Sequence, residues 1–162
     1  MTLHAISQAL YRTPISTWIR ETAGIIPTTQ SIHILSIAVV VGSALVTDLR
    51  LAGVLATDET PQTVVRRYLP WMWGALAVLL TTGTILTVGE PNRVLTNSLY
   101  WTKMFLVVFA FCLTLLFRYP FLHPQFQFEH ARWAGIAKPL AWVSLLVWIT
   151  VIFLGRWISY AG

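Results

Sequence analysis

Charge is scarce in this sequence. Only 10% of its 162 residues are Asp, Glu, Lys or Arg, against about 25% in a soluble domain. Hydrophobic residues make up 56%, and the mean hydropathy is +0.68. A chain this short cannot cover a water-facing surface with so few charges, which excludes a soluble globular domain and assigns the surface to lipid. Cysteine is almost absent. Cys112 stands alone in an apolar run, so neither an internal disulfide nor a thiolate cluster can form, and it reads as a small buried hydrophobe. Methionine is limited to three residues, Met1 among them, too few for an inward path of soft metal ligands. No Gly-rich phosphate loop, nucleophile elbow or zinc-ligand spacing is present, nor is any low-complexity tract or internal repeat of the kind that marks many transporters.

What charge there is leans basic, with a net charge of +5 and a pI near 9.9. In a soluble protein this balance would raise nucleic acid as a partner. Here the basic residues flank apolar runs, the placement that anionic lipid and the positive-inside bias produce. The partner is therefore the lipid bilayer, with no nucleic acid. Eight Trp agree, since Trp favours the membrane–water interface.

The length allows one domain, and the pattern predicts an all-α fold, a bundle of four transmembrane helices. Residues 1–26 lack the continuous apolar core of a cleavable signal peptide, being interrupted by Arg12, Pro14, Arg20 and Glu21. They place Leu3, Ile6, Leu10, Ile15, Trp18 and Ile19 on one side at helical spacing. This predicts an amphipathic helix lying in the interface, broken near Pro14. The four spans follow at about 29–55, 69–88, 99–119 and 139–160. Pro27 precedes the first, Pro70 suits a first turn of the second, Gly89-Glu90-Pro91-Asn92 ends it, and Pro120 closes the third.

An even number of spans puts both termini on one side. That side carries Arg12, Arg20, Arg93 and Arg156, and the other carries Arg50, Arg66, Arg67, Arg118, Arg132 and Lys138. The excess on the second side predicts that it is cytoplasmic, which leaves both termini periplasmic in a multi-pass protein of the bacterial inner membrane.

Membrane helices pack through small and polar residues, because lipid already accommodates large apolar ones. In the first span His33, Ser36, Val40, Ser43, Thr47 and Arg50 form one stripe at steps of three and four, predicted to face the interior. Corresponding stripes are Gly74, Ala77, Thr81 and Thr84 in the second span, Lys103, Val107, Ala110 and Thr114 in the third, and Ser144, Trp148, Val151 and Gly155 in the fourth. The topology then sorts the ionisable residues into two layers roughly 22 Å apart along a helix. His33, Lys103, Glu90, Arg93 and Arg156 belong to the layer near the termini, and Asp48, Arg50, Arg66, Arg67 and Arg118 to the other. Asp48 is expected to pair across helices with Arg66, Arg67 or Arg118. His123 and His130, in a polar loop, carry no spacing that specifies a metal.

His33 is the leading candidate for chemistry, because imidazole at membrane depth is either a haem or metal ligand or a hydrogen-bonding link to a neighbouring helix. Lys103 either snorkels to the interface or turns inward to meet an anionic group such as a haem propionate, a role Arg93 and Arg156 can share. His4, on the same side in the amphipathic segment, is the candidate for a second axial ligand.

The run His33-Ile-Leu, then Gly42, then Asp48-Leu-Arg-Leu-Ala-Gly53, resembles a family of small bacterial membrane proteins of unknown function. So do Arg67-Tyr-Leu-Pro-Trp71, Thr82-Gly83, Lys103 and the closing Gly155-Arg156-Trp-Ile-Ser-Tyr160. A histidine early in one helix and a lysine early in a later one are distantly similar to the HemJ-type protoporphyrinogen oxidases and to the copper-resistance D membrane domain. That similarity implies a b-type haem with His33 as axial ligand and Lys103 as a propionate or substrate contact, serving redox or electron transfer with a membrane or periplasmic redox partner. Two other roles stay open: a small transporter or copper-handling protein, and a structural subunit of a larger membrane complex.

Overall fold

The computed structural model of the chain describes residues 3–118, 121, 123 and 134–157. His130, Arg132 and residues 158–160 of the closing motif lie outside the described residues. Within them the fold is all-helical: α1 (Leu3–Tyr11), α2 (Pro14–Glu21), α3 (Ile25–Leu51), α4 (Pro61–Gly89), α5 (Pro91–Leu95), α6 (Ser98–Arg118) and α7 (Ala134–Trp157). Three of these are long and apolar enough to cross a membrane: α3, α4 and residues Gly135–Trp157 of α7. In α6 the apolar stretch among the described residues is Ser98–Thr114. These helices identify a membrane protein.

Local chemistry sets the helix ends and moves several of them from their predicted places. The first span begins at Ile25 instead of 29, after Gly24 at φ +93°. Pro27 sits inside the first turn, where the missing N–H would have had no partner in any case. The same helix stops at Leu51 instead of 55. Gly53 takes φ +76° and donates to the Arg50 carbonyl at 3.0 Å, while the Val54 N–H reaches the Leu49 carbonyl at 2.9 Å. This paired closure depends on a residue free to adopt the left-handed region, so Gly53 ends the helix that the apolar run Leu51–Ala56 would otherwise extend. The second span starts at Pro61, eight residues before the prediction, because Thr60 caps it by accepting from Thr63 N–H. Pro70 is therefore interior to α4, not in its first turn. Pro139 is likewise interior to α7, which begins at Ala134. Gly89 and Glu90 end α4 as expected, but Pro91 opens the short α5.

The N-terminal segment breaks where Pro14 predicted. Thr13 caps α2 by accepting from Ser16 N–H, and Pro14 occupies the first helical position. Arg20 ties this corner together. Its guanidinium donates to Ser16 Oγ at 2.6 Å, to the Tyr11 carbonyl at 3.2 Å and to the Gly89 carbonyl at 3.5 Å, and it lies 3.7 Å above the Tyr11 ring. Ile19 packs onto Gly89 so closely that a Cβ there would sit 2.9 Å from its Cγ2. Leu3, Ile6, Ile15 and Trp18 stay exposed.

In the bundle α3 packs along α4 and also against α7, and α7 packs against α6. The round is closed between α4 and α6 mainly by long side chains: Trp73 edge-on to Phe111 at 5.3 Å, Thr87 with Tyr100 at 3.4 Å, and Arg118 with Met72. The core is a layer of Val40, Ala44, Met72, Leu76, Ala110 and Trp148. The predicted stripes of α3, α6 and α7 do face this interior, with Ser36, Ser43, Thr47, Thr114, Ser144 and Val151 buried.

The α4 stripe does not. Gly74, Ala77, Thr81 and Thr84 are exposed, and α4 turns Met72, Ala75, Leu76 and Thr82 inward. The predicted stripe lies on the opposite side of the helix, roughly 180° from the inward face. The small residues that allow close approach come from α3, and its groove accepts the large side chains of α4. Small residues on both partners would leave the space between them unfilled. Cys112 is also exposed, not buried as its apolar surroundings suggested, because it lies off the Ala110–Thr114 face of α6.

Candidate functional site

The bundle end nearest the N-terminus brings His33 and Lys103 together. His33 lies eight residues into α3 and Lys103 five residues into α6. They face the same level from different helices, close enough for the two charges to be felt. Each long side chain is given room by a glycine on a third helix. A Cβ at Gly83 of α4 would stand 3.5 Å from His33 Cε1, and one at Gly155 of α7 would stand 3.3 Å from Lys103 Nζ. All four large helices contribute to the site.

The hydrogen bonds of His33 fix its chemistry. Its Nδ1 is 2.7 Å from Thr82 Oγ1. The Thr82 hydroxyl has one proton, and its bond to the Val78 carbonyl at 2.7 Å uses it. In the tautomer that matches this bond, Thr82 accepts from Nδ1–H and the neutral imidazole carries its lone pair on Nε2. A histidine held in this way through one nitrogen is oriented to ligate or accept a proton through the other. His33 thus links two helices, one of the two roles the sequence left open for it. Lys103 is turned inward and half-buried against Gly155, and among the described residues no carboxylate forms an ion pair with it.

The remaining candidates lie at the same end of the bundle. His4 is exposed on α1, which packs on α5, α4 and α2. Arg93 is exposed on α5 and pairs with Glu90 at 3.2 Å. Arg156 is exposed next to Gly155 and has contacts of its own. Among the described residues no group of three or more His, Cys, Asp or Glu side chains is arranged to hold a metal ion. Thr82 and Gly83 were not among the candidate site residues. Their signal was a polar–small pair inside an otherwise apolar span.

At the opposite end Asp48 selects Arg118 from the three expected partners. The two are 2.5 Å apart and almost fully buried, and the Arg118 guanidinium also reaches Met72 Sδ at 2.9 Å. Ser144 of α7 stands beside the carboxylate. The other arginines are used elsewhere. Arg67 pairs with Glu59 at 2.6 Å, Arg50 donates to the Glu59 carbonyl, and Arg66 holds the carbonyls of Phe121 and His123 at 2.7 Å.

The model of a family of unknown function, DUF6644, matches residues 11–161. The chain belongs to this family. No curated protein and no solved structure matches it. In this DUF6644 chain the matched region takes in α2 to α7, and so includes both the His33–Lys103 site and the Asp48–Arg118 pair.

Proposed function

We propose that this DUF6644 protein is a four-span membrane protein that binds a b-type haem through His33 and serves redox or electron transfer. The observation that supports the reading is the 2.7 Å contact between Nδ1 and Thr82 Oγ1, which orients the ring and, with Nδ1 as donor, makes Nε2 the ligating nitrogen. The residues present suit the group. His33 would ligate the iron, and Lys103, with no carboxylate paired to it among the described residues, would meet a propionate. When bound, the haem supplies a one-electron couple, and the chain supplies the ligand, its orientation and a low-dielectric wall.

Support for the fourth crossing comes from α6. Its 21 residues extend about 31 Å, the thickness of a hydrocarbon core, and its first turns carry the buried end of Lys103. The exposed apolar side chains of α1 and α2 suit a segment resting in the interface, on the same side as the site. The excess of Arg and Lys at the opposite end supports periplasmic termini in the bacterial inner membrane, and with them a membrane or periplasmic redox partner.

The test is an absorption spectrum of protein purified in detergent from haem-replete cells. A Soret band that disappears in His33→Ala and is weakened in Lys103→Ala is the expected result. A colourless wild-type preparation that also fails to take up added haem refutes the reading.

A second reading, that of a structural subunit, is favoured by the exposed side of α4. Gly74, Ala77, Thr81 and Thr84 present small side chains outward beside an apolar groove between α3 and α4 lined by Leu35, Val39, Trp71 and Val78. Small residues of this kind let another membrane helix approach. Recovery of a stoichiometric partner in mild detergent, lost in Gly74→Leu, distinguishes this reading from a self-contained haem protein.

A further inference from the structure

Two buried polar atoms in the half of the bundle opposite His33 lack a hydrogen-bond partner among the described residues: the second carboxylate oxygen of Asp48, Oδ2, and the indole nitrogen of Trp148, Nε1. Asp48 is 2% exposed and Trp148 4%. One atom is an acceptor and the other a donor, so they are complementary.

The geometry of the two helices directs them to one place. α3 and α7 pack against each other and run in opposite directions, because each carries the chain across the bundle in the opposite sense. Ser144 stands beside Asp48. One turn deeper, Ala44 of α3 faces the level of Trp148 in the shared core. Helical side chains lean toward the N-terminus of their own helix. Asp48 thus leans inward toward the Ala44 level, and Trp148 leans back toward Ser144. By these directions the two side chains incline toward a common level between α3 and α7, where Ala44 and Ser144 contribute only small side chains.

We infer that this level between the helices is a binding site for an internal water, which donates to Asp48 Oδ2, accepts from Trp148 Nε1 and has Ser144 Oγ as a third neighbour. Three polar partners are what a buried water takes. Arg118 engages only Oδ1, and Ser144 stands beside the carboxylate, so the water completes the coordination of Oδ2. The site lies on the opposite side of the Val40–Ala110 layer from His33 and is independent of what His33 binds.

The experiment is nuclear magnetic resonance on the full chain, labelled with 15N-tryptophan, in detergent micelles. The Trp148 indole signal is assigned from its loss in Trp148→Phe, or through the backbone if that variant does not fold. The expected result is direct cross-relaxation between the Trp148 indole proton and a long-lived water, abolished in the double variant Asp48→Leu/Arg118→Met. A resolved Trp148 indole signal with no water cross-relaxation overturns the inference. So does an experimental structure in which Nε1 donates straight to the Asp48 carboxylate.

Discussion

Replacing one member of the Asp48–Arg118 pair should destabilise the bundle far more than replacing both. The side chains are 3% and 2% exposed and 2.5 Å apart. Asp48→Leu would leave the Arg118 guanidinium buried with only the Met72 sulfur beside it, and Arg118→Met would leave the Asp48 carboxylate with Ser144 alone. An uncompensated charge of this kind costs about 3–5 kcal/mol, whereas an apolar pair of similar volume ranges from neutral to about 1–4 kcal/mol stabilising. At roughly 2–4 °C per kcal/mol for a chain of this size, each single variant should melt about 6–20 °C below wild type. The double variant Asp48→Leu/Arg118→Met should melt at or above it. Helicity followed by circular dichroism during heating in one detergent gives all four melting temperatures and the coupling between the sites. Single variants within about 2 °C of wild type, or a double variant as unstable as the sum of the singles, would refute the claim that the pair is buried and mutually compensating.

Thr82→Val removes the acceptor that fixes Nδ1–H of His33, and should weaken haem affinity by about 10–100-fold in a spectroscopic titration, while Thr82→Ser keeps it. Gly89→Ala drives a Cβ to 2.9 Å from Ile19 Cγ2 and should cost about 1–3 kcal/mol, read as a lower melting temperature. Gly42→Ala, with nothing within 4 Å of its Cβ, should be neutral or stabilising by up to about 1 kcal/mol in the same assay. Exposed Cys112 should react with a lipophilic maleimide in the folded protein; labelling only after denaturation contradicts its outward placement.

The helices and their inward faces were legible because bilayer packing imposes two simple demands, length and a polar or small stripe. The stripe from His33 to Thr47 meets both, and so does that of α7, while that of α6 meets the second. Misplaced helix ends trace to single residues whose role depends on position. A proline is harmless in a first turn, as at Pro27, and a glycine ends a helix only where the following amide can fold back, as at Gly53. The α4 face was misread because one helix of a packed pair supplies the small residues and the other fills the groove, and composition alone does not say which. Of the site, His33 and Lys103 could be found from charge at membrane depth. Thr82, Gly83 and Gly155 act only across helices. The His33–Thr82 hydrogen bond and the room around Lys103 are properties of the assembled bundle, and no segment carries them alone.

The closure between α4 and α6 has a consequence for how the round is held. Elsewhere in the round helix backbones lie against one another, but this seam is spanned by Trp73 and Phe111, Thr87 and Tyr100, and Met72 and Arg118. The α4–α6 seam therefore stays shut by side-chain contacts, and the buried Arg118, tied at once to Met72 and Asp48, is the clasp that holds its far end.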